Sequence, residues 1–231
     1  MKKIRISREA AYFLSLLIMS FSVAMVAAAD FGLSMVVAPA YILSRYFPVL
    51  TFGQCEYVVQ GLLLALLCFL MGRVRPIYLS SFVACLLYGG MLDLWRLVIP
   101  MFNPALTAPG SMAIGLRLLF FAVGTCMTAL GVALCFKTYL YPQVYDFFVK
   151  AVSGRFHIDR AKFKLCYDGA SLLIALLMSL LMFRGIVGIG IGTIVTTLVN
   201  GPLIGLSEKL LDRFVDFHTT LPRLEKHFHW E

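Results

Sequence analysis

Glu56 and Gln60 stand one helical turn apart at the start of an apolar run, Asp93 and Arg96 stand three residues apart at the end of another, and Arg117 opens a third. Side chains at i,i+3 and i,i+4 share one face of a helix, so Asp93 and Arg96 can pair and Gln60 extends inward from Glu56. Asp30 falls at the same level. Groups near span ends reach headgroup water cheaply, so the set reads first as a structural interfacial network. Charge inside lipid is costly and faces protein or a water-filled cavity, so the alternative is the mouth of a substrate path. A second polar set is Thr193, Thr196 and Asn200, followed by Gly201 and Pro202. Pro202 removes a backbone donor and clashes with the preceding turn, so a helix break is expected there. Asn200, Thr196 and Thr197 are placed to satisfy the freed carbonyl or a solute. Gly188 with Gly192, and Gly201 with Gly205, form small-x-x-x-small pairs that let helices approach closely in lipid.

Hydrolytic and redox chemistry find no residues to work with. The four histidines (His157, His218, His227, His229) lie outside the apolar runs, and the glycines at 188, 190 and 192 open an apolar run rather than joining a strand to a helix. The six cysteines form no C-x-x-C pair and have no histidine at ligand spacing, so they read as small hydrophobes. No enzyme activity, no metal and no cofactor are expected.

The elements that carry these residues follow from composition. Of 231 residues 61% are hydrophobic and 14% charged, with a mean hydropathy of +0.89. Soluble domains carry about 25% charged residues, enough polar surface to face water. This chain lacks it, and its solvent is the lipid bilayer. Uncharged or nearly uncharged runs cover Ala10–Ala29, Tyr57–Gly72, Ile77–Leu92, Leu118–Phe136, Gly169–Phe183 and Gly185–Leu206. Backbone polar groups in lipid must be satisfied within the segment, so each run is expected to be a helix. The fold class is therefore all-α: a polytopic membrane protein with six transmembrane helices in one membrane domain over residues 1–231. Two intervening stretches, Asp30–Gln54 and Thr138–Lys164, each hold a proline near their start (Pro39, Pro142) and read as interfacial or re-entrant helices. The tail 207–231 reads as an amphipathic cytoplasmic helix.

The net charge of +8 invites a nucleic-acid reading, but the basic residues flank the apolar runs, so no nucleic-acid partner is expected. With six spans, Arg45, Arg96, Arg117 and Arg184 fall on one side and the other sixteen of the twenty Lys and Arg on the opposite side. That asymmetry places both termini in the cytoplasm. The first run resembles a signal peptide, with Lys2, Lys3 and Arg5 before it and Ala27-Ala28-Ala29 at its end. At 20 residues it is too long for a signal core, and a retained first helix is expected.

The two halves can be overlaid. Leu62-Leu63-Leu64-Ala65-Leu66-Leu67 matches Leu172-Leu173-Ile174-Ala175-Leu176-Leu177, Arg73 then meets Arg184, Gly90 meets Gly201, and Pro39 meets Pro142. Three spans per half invert the copies, giving repeat one over about 10–99 and repeat two over about 114–206, a build common in secondary transporters. The glycine-rich start Gly188–Thr193 followed by Asn200–Gly205, with its counterpart Gly72–Ile77 followed by Leu86–Leu94, resembles the YczE/YyaS/YitT group of bacterial integral membrane proteins. The resemblance implies a six-helix inner-membrane protein and carries no settled activity. It departs from that group two residues after each proline, where Tyr41 and Val144 replace an acid. The functional expectation is a small secondary transporter or permease of unknown substrate. The alternative is an accessory protein that binds another membrane complex, with a second copy or a membrane protein as partner.

Overall fold

A computed structural model describes residues 4–108 and 110–220. Eight α-helices are found among them: α1 (Arg8–Ala29), α2 (Ala38–Tyr46), α3 (Phe52–Met71), α4 (Pro76–Val98), α5 (Ile114–Phe136), α6 (Val144–Arg155), α7 (Arg160–Phe183) and α8 (Ile191–Phe214). Five of them, α1, α3, α4, α5 and α7, are long and apolar enough to cross a membrane. The sixth expected span, α8, is long but carries Thr193, Thr196, Thr197, Asn200 and Pro202, and does not reach that apolarity.

Local chemistry explains the boundaries. Ser7 caps α1 by accepting the Ala10 amide at 3.2 Å. Thr51 and Gln54 form a reciprocal capping box at the start of α3, and Gly72 ends it in the left-handed region, at φ 64°. Pro39 lies in the first turn of α2 and Pro76 in that of α4, where the missing N–H leaves no partner unsatisfied. Pro142 lies in the extended chain two residues before α6.

The centre is the α1–α5 seam. Gly124 and Gly131 permit it, since a Cβ on Gly124 would stand 2.6 Å from Val26 Cγ2. The Ser22 and Thr128 hydroxyls bond across it at 2.8 Å. Helix α4 packs on α1 and α8 on α5; α2 packs on α3 and α7, and α6 on α7, α3 and α4. Helices α3 and α4 share a seam of their own, whereas α7 and α8 make none of comparable size. Large apolar side chains on the outside, such as Phe69 and Leu181 at 82% exposure, face where lipid would be.

The fold is all-helical as expected, with one short addition: Ile4–Ser7 (β1) pairs in parallel with Val215–His218 (β2), Ile4 opposite Val215. Three expectations are corrected. The tail is accordingly a helix only to Phe214, as a continuation of α8, and residues 221–231, with His227 and His229, lie outside the described residues. The run from Gly185 is loop for its first six residues, held by Ser179 Oγ, which accepts the Val187 amide and donates to the Gly185 carbonyl, both at 2.7 Å. Gly188, at φ +73°, sits against Tyr41, while Gly190 and Gly192 press on the Phe31 carbonyl. These glycines therefore seat the loop and the start of α8 against α2 and the Phe31 stretch, rather than forming one seam between two helices. Finally, α8 runs through Asn200, Gly201 and Pro202 unbroken, and a Cβ on Gly201 or Gly205 would meet nothing within 4 Å. A proline is tolerated inside a membrane helix, and in this chain that glycine pair faces outward.

Candidate functional site

The eight predicted polar residues separate into four places. Glu56 and Gln60 meet at the most buried one, both 0% exposed on α3. Gln60 Nε2 donates to Glu56 Oε2 at 3.0 Å and to Gln143 Oε1 at 3.2 Å, while Gln60 Oε1 accepts the Val144 amide at 3.2 Å. The Tyr145 hydroxyl donates to Glu56 Oε2 at 2.8 Å. Below, Ser81 of α4 donates to the Pro142 carbonyl at 2.6 Å. The extended Tyr141–Gln143 stretch, made obligatory by Pro142, thus delivers the start of α6 onto α3. Two buried polar atoms in this cluster, Glu56 Oε1 and Gln143 Nε2, have no hydrogen-bond partner among the described residues. Buried polar atoms are otherwise almost always paired.

The second place is an open cavity of about 780 Å³ where α2 ends, α3 begins and α4 ends. Arg45, Thr51, Asp93, Arg96 and Asn103 supply its polar lining, and Pro48, Leu50, Leu94, Leu97 and Pro104 its apolar walls. The expected Asp93–Arg96 pair does not form. Asp93 instead accepts from the Thr51 hydroxyl and from the Gly53 amide at 2.8 Å, closing the N-terminus of α3. Arg96 lies 5.3 Å from the centre of the Phe52 ring and donates through Nε to the Phe102 carbonyl at 3.4 Å. Arg45 makes no hydrogen bond or ion pair among the described residues. The cavity therefore holds two guanidinium groups and one carboxylate already committed to the start of α3.

Arg117 stands apart. Its Nε donates to the Ala29 carbonyl at 2.8 Å and its Nη2 to the Asp30 carbonyl at 3.0 Å, completing the C-terminus of α1. The Asp30 carboxylate lies 3.8 Å away; burial raises that carboxyl above its ordinary range, while Arg117 and then Arg45 pull it down. Arg117 thus clamps α1 to α5 and has no part in the cavity.

The α8 set forms the fourth place. Thr193 Oγ1 accepts the Gly190 amide at 3.2 Å, and Thr196 and Thr197 donate to the Thr193 carbonyl at 3.0 and 2.8 Å. Thr196 and Asn200, with Ser34, Thr125 and Thr128, line an internal cavity of about 30 Å³. Asn200 does not cap the carbonyl that Pro202 frees; its Oδ1 is buried without a partner among the described residues.

Arg45, Gln143 and Tyr145 were not singled out by sequence. A glutamine directly after the proline of a short buried helix was the available signal for Gln143. Nothing in the sequence tied Tyr145 to Glu56.

Long apolar helices with polar clusters between them place the chain in the class of multi-pass α-helical membrane proteins. It belongs to DUF6198, a family of unknown function whose match covers residues 6–209. No curated protein and no solved structure matches it.

Proposed function

We propose that this chain is a small secondary transporter built of six spans in two inverted repeats, with its solute path opening at the cavity between the ends of α2, α3 and α4. The carrying observation is that cavity, which is large enough for a small solute. The buried Glu56 lies five residues further along α3 than Thr51 of its wall, about 8 Å at helical rise.

Two features support the repeat. First, contacts come in matched pairs: α1 on α4 with α5 on α8, α2 on α3 with α6 on α7, and α2 on α7 with α6 on α3. That is the pattern of two halves related by a two-fold axis through the α1–α5 seam. Second, β1 and β2 are hydrogen-bonded neighbours, so the chain crosses the membrane an even number of times between Ser7 and Val215. With five apolar helices qualifying, α8 is the sixth crossing. Its polar face is sheltered by α5 and the 30–34 stretch. The excess of Lys and Arg on the terminal side orients both ends to the cytoplasm of a bacterial inner membrane, in keeping with the YczE/YyaS/YitT resemblance.

The test is a thermal-stability screen of the purified protein against small solutes of different charge, followed by flux into proteoliposomes. A ligand at a hundredfold excess over Kd stabilises by about 2.7 kcal/mol. Transport predicts a class of solute that raises the melting temperature, loses that effect in Arg96→Ala, and crosses the membrane. A membrane protein co-purifying in fixed ratio, with no solute bound or moved, supports the accessory reading instead.

A further inference from the structure

We propose that Glu56 is a proton-binding site, and that its protonation controls how tightly α6 is held on α3. The coupling half of this inference rests on the transport reading; the proton site does not. Glu56 is wholly buried in an apolar helix, and no Lys or Arg forms an ion pair with it among the described residues. A carboxylate removed from water without a cation beside it carries a large solvation cost, and a proton removes that cost.

The neighbours select a proton over a metal cation. A hard cation needs several oxygen lone pairs converging on one point. Here the Glu56 carboxyl is met by donors: the Gln60 amide at 3.0 Å and the Tyr145 hydroxyl at 2.8 Å, both on Oε2. Oε1 has no partner among the described residues, and the nearby orphan Gln143 Nε2 is itself a donor. The titratable groups around the carboxyl are Cys55 on its own helix, Cys85 and Tyr88 from α4, Tyr145 from α6 and Tyr167 from α7. Further along the elements packed on α3 stand Tyr41 and Arg45 of α2, Asp93 and Arg96 of α4, and Asp146 and Lys150 of α6.

Proton transfer balances simply. A hydronium ion reaching the site leaves its proton on Oε1 and departs as water, and water takes the proton back on release. The consequence lies in the hydrogen bond from Tyr145 and the linked pair Gln60–Gln143, which join α3 to the start of α6. Hydrogen bonds to a carboxylate are roughly twice as strong as those to a neutral acid. Loading the proton therefore loosens α6 and losing it tightens α6.

The experiment is pH-difference infrared spectroscopy of the full chain in lipid nanodiscs, with glutamate carboxyls isotope-labelled. Of the five glutamates in the chain, Glu56 stands inside an apolar helix. The expected result is a labelled carboxyl C=O band between about pH 4 and about pH 10 that wild type shows and Glu56→Gln lacks. Glu56→Asp should keep a titrating band that no longer moves with the glutamate label, which decides the matter if the Gln variant fails to fold. Identical difference spectra for wild type and the Gln and Asp variants would overturn the proposal. A titrating Glu56 in a protein that moves no solute keeps the proton site and removes the transport reading; flux with no titrating Glu56 does the reverse.

Discussion

In the proposed repeat the α3–α4 and α7–α8 hairpins are counterparts, yet they are held in opposite ways. In the first, Gly53 and Gly89 bring the backbones into contact: a Cβ on Gly53 would collide with the Gly89 carbonyl, and one on Gly89 with the Tyr57 ring. Asp93 then ties the end of α4 to the start of α3. In the second, α7 touches α2 and α6, α8 touches α5, and the two share no comparable seam. Gly201 and Gly205 look outward. The α3–α4 pair is thus a locked unit, and α7 and α8 are two separately supported helices. The buried carboxyl lies on the locked hairpin and the arginine-lined cavity borders it, while α8 carries the smaller threonine and asparagine cluster.

Substitutions that should separate the two hairpins differ widely in size. Gly89→Leu is expected to be the most damaging, because it forces the α3 and α4 backbones apart; overpacking costs about 1–3 kcal/mol or more, read as a lowered melting temperature in detergent. Gly201→Leu should show no such loss and should raise the melting point slightly, since leucine is the better helix former by somewhat under 1 kcal/mol and meets no obstacle. A large loss at Gly201 would mean that α8 packs on something outside this chain.

Asp93→Ala comes next. It strips the start of α3 of two acceptor contacts, and hydrogen bonds to a charged group are worth about 1.5–3 kcal/mol. Thr51→Val, which removes one of the two and the cap with it, should lose less. If Asp93 paired with Arg96 rather than α3, Arg96→Met would cost as much as Asp93→Ala; the account predicts a clearly smaller effect. Asn200→Leu sits near the bottom of the scale, because its Oδ1 has no partner to lose among the described residues. A change within about 0.5 kcal/mol is expected, and a larger loss in detergent would show that Asn200 has a partner after all.

Lys150 offers a small pH effect. Burial first, then Arg160, lowers its pKa from 10.5 to about 8. Below that value both folded and unfolded chains carry the charge. Between about 8 and 10.5 the unfolded chain holds the proton more tightly, so stability rises with pH across that window. Melting curves of Lys150→Met should lack that rise.

The apolar runs were legible because lipid imposes one requirement on every span, and residue types alone meet or fail it. Five runs became long apolar helices, but several extend well into their polar flanks: α3 starts at Phe52 rather than Tyr57, α4 ends at Val98 rather than Leu92, and α7 starts at Arg160 rather than Gly169. Reading Asn200-Gly201-Pro202 as a break failed because a local rule about proline was applied where the rest of α8 can carry the chain past it. The Asp93–Arg96 spacing was real, but spacing within one helix says nothing of the N-terminus of α3 competing for the same carboxylate. Gln143 and Tyr145 acquired their role only when Pro142 set the start of α6 against Glu56, a long-range contact with no local signature. The β1–β2 pair was illegible for the same reason.

The inverted repeat is tested most directly by two single cysteines in a background stripped of native cysteines, one in each matching hairpin turn. Val74 lies between α3 and α4, 69% exposed, and Ile186 between α7 and α8, 64% exposed. Both can therefore react wherever an impermeant thiol reagent reaches them. The account predicts that Ile186→Cys in intact cells is labelled from outside, while Val74→Cys is labelled only after the membrane is opened. Labelling of both from the same side would contradict it, because the two halves would then share one orientation.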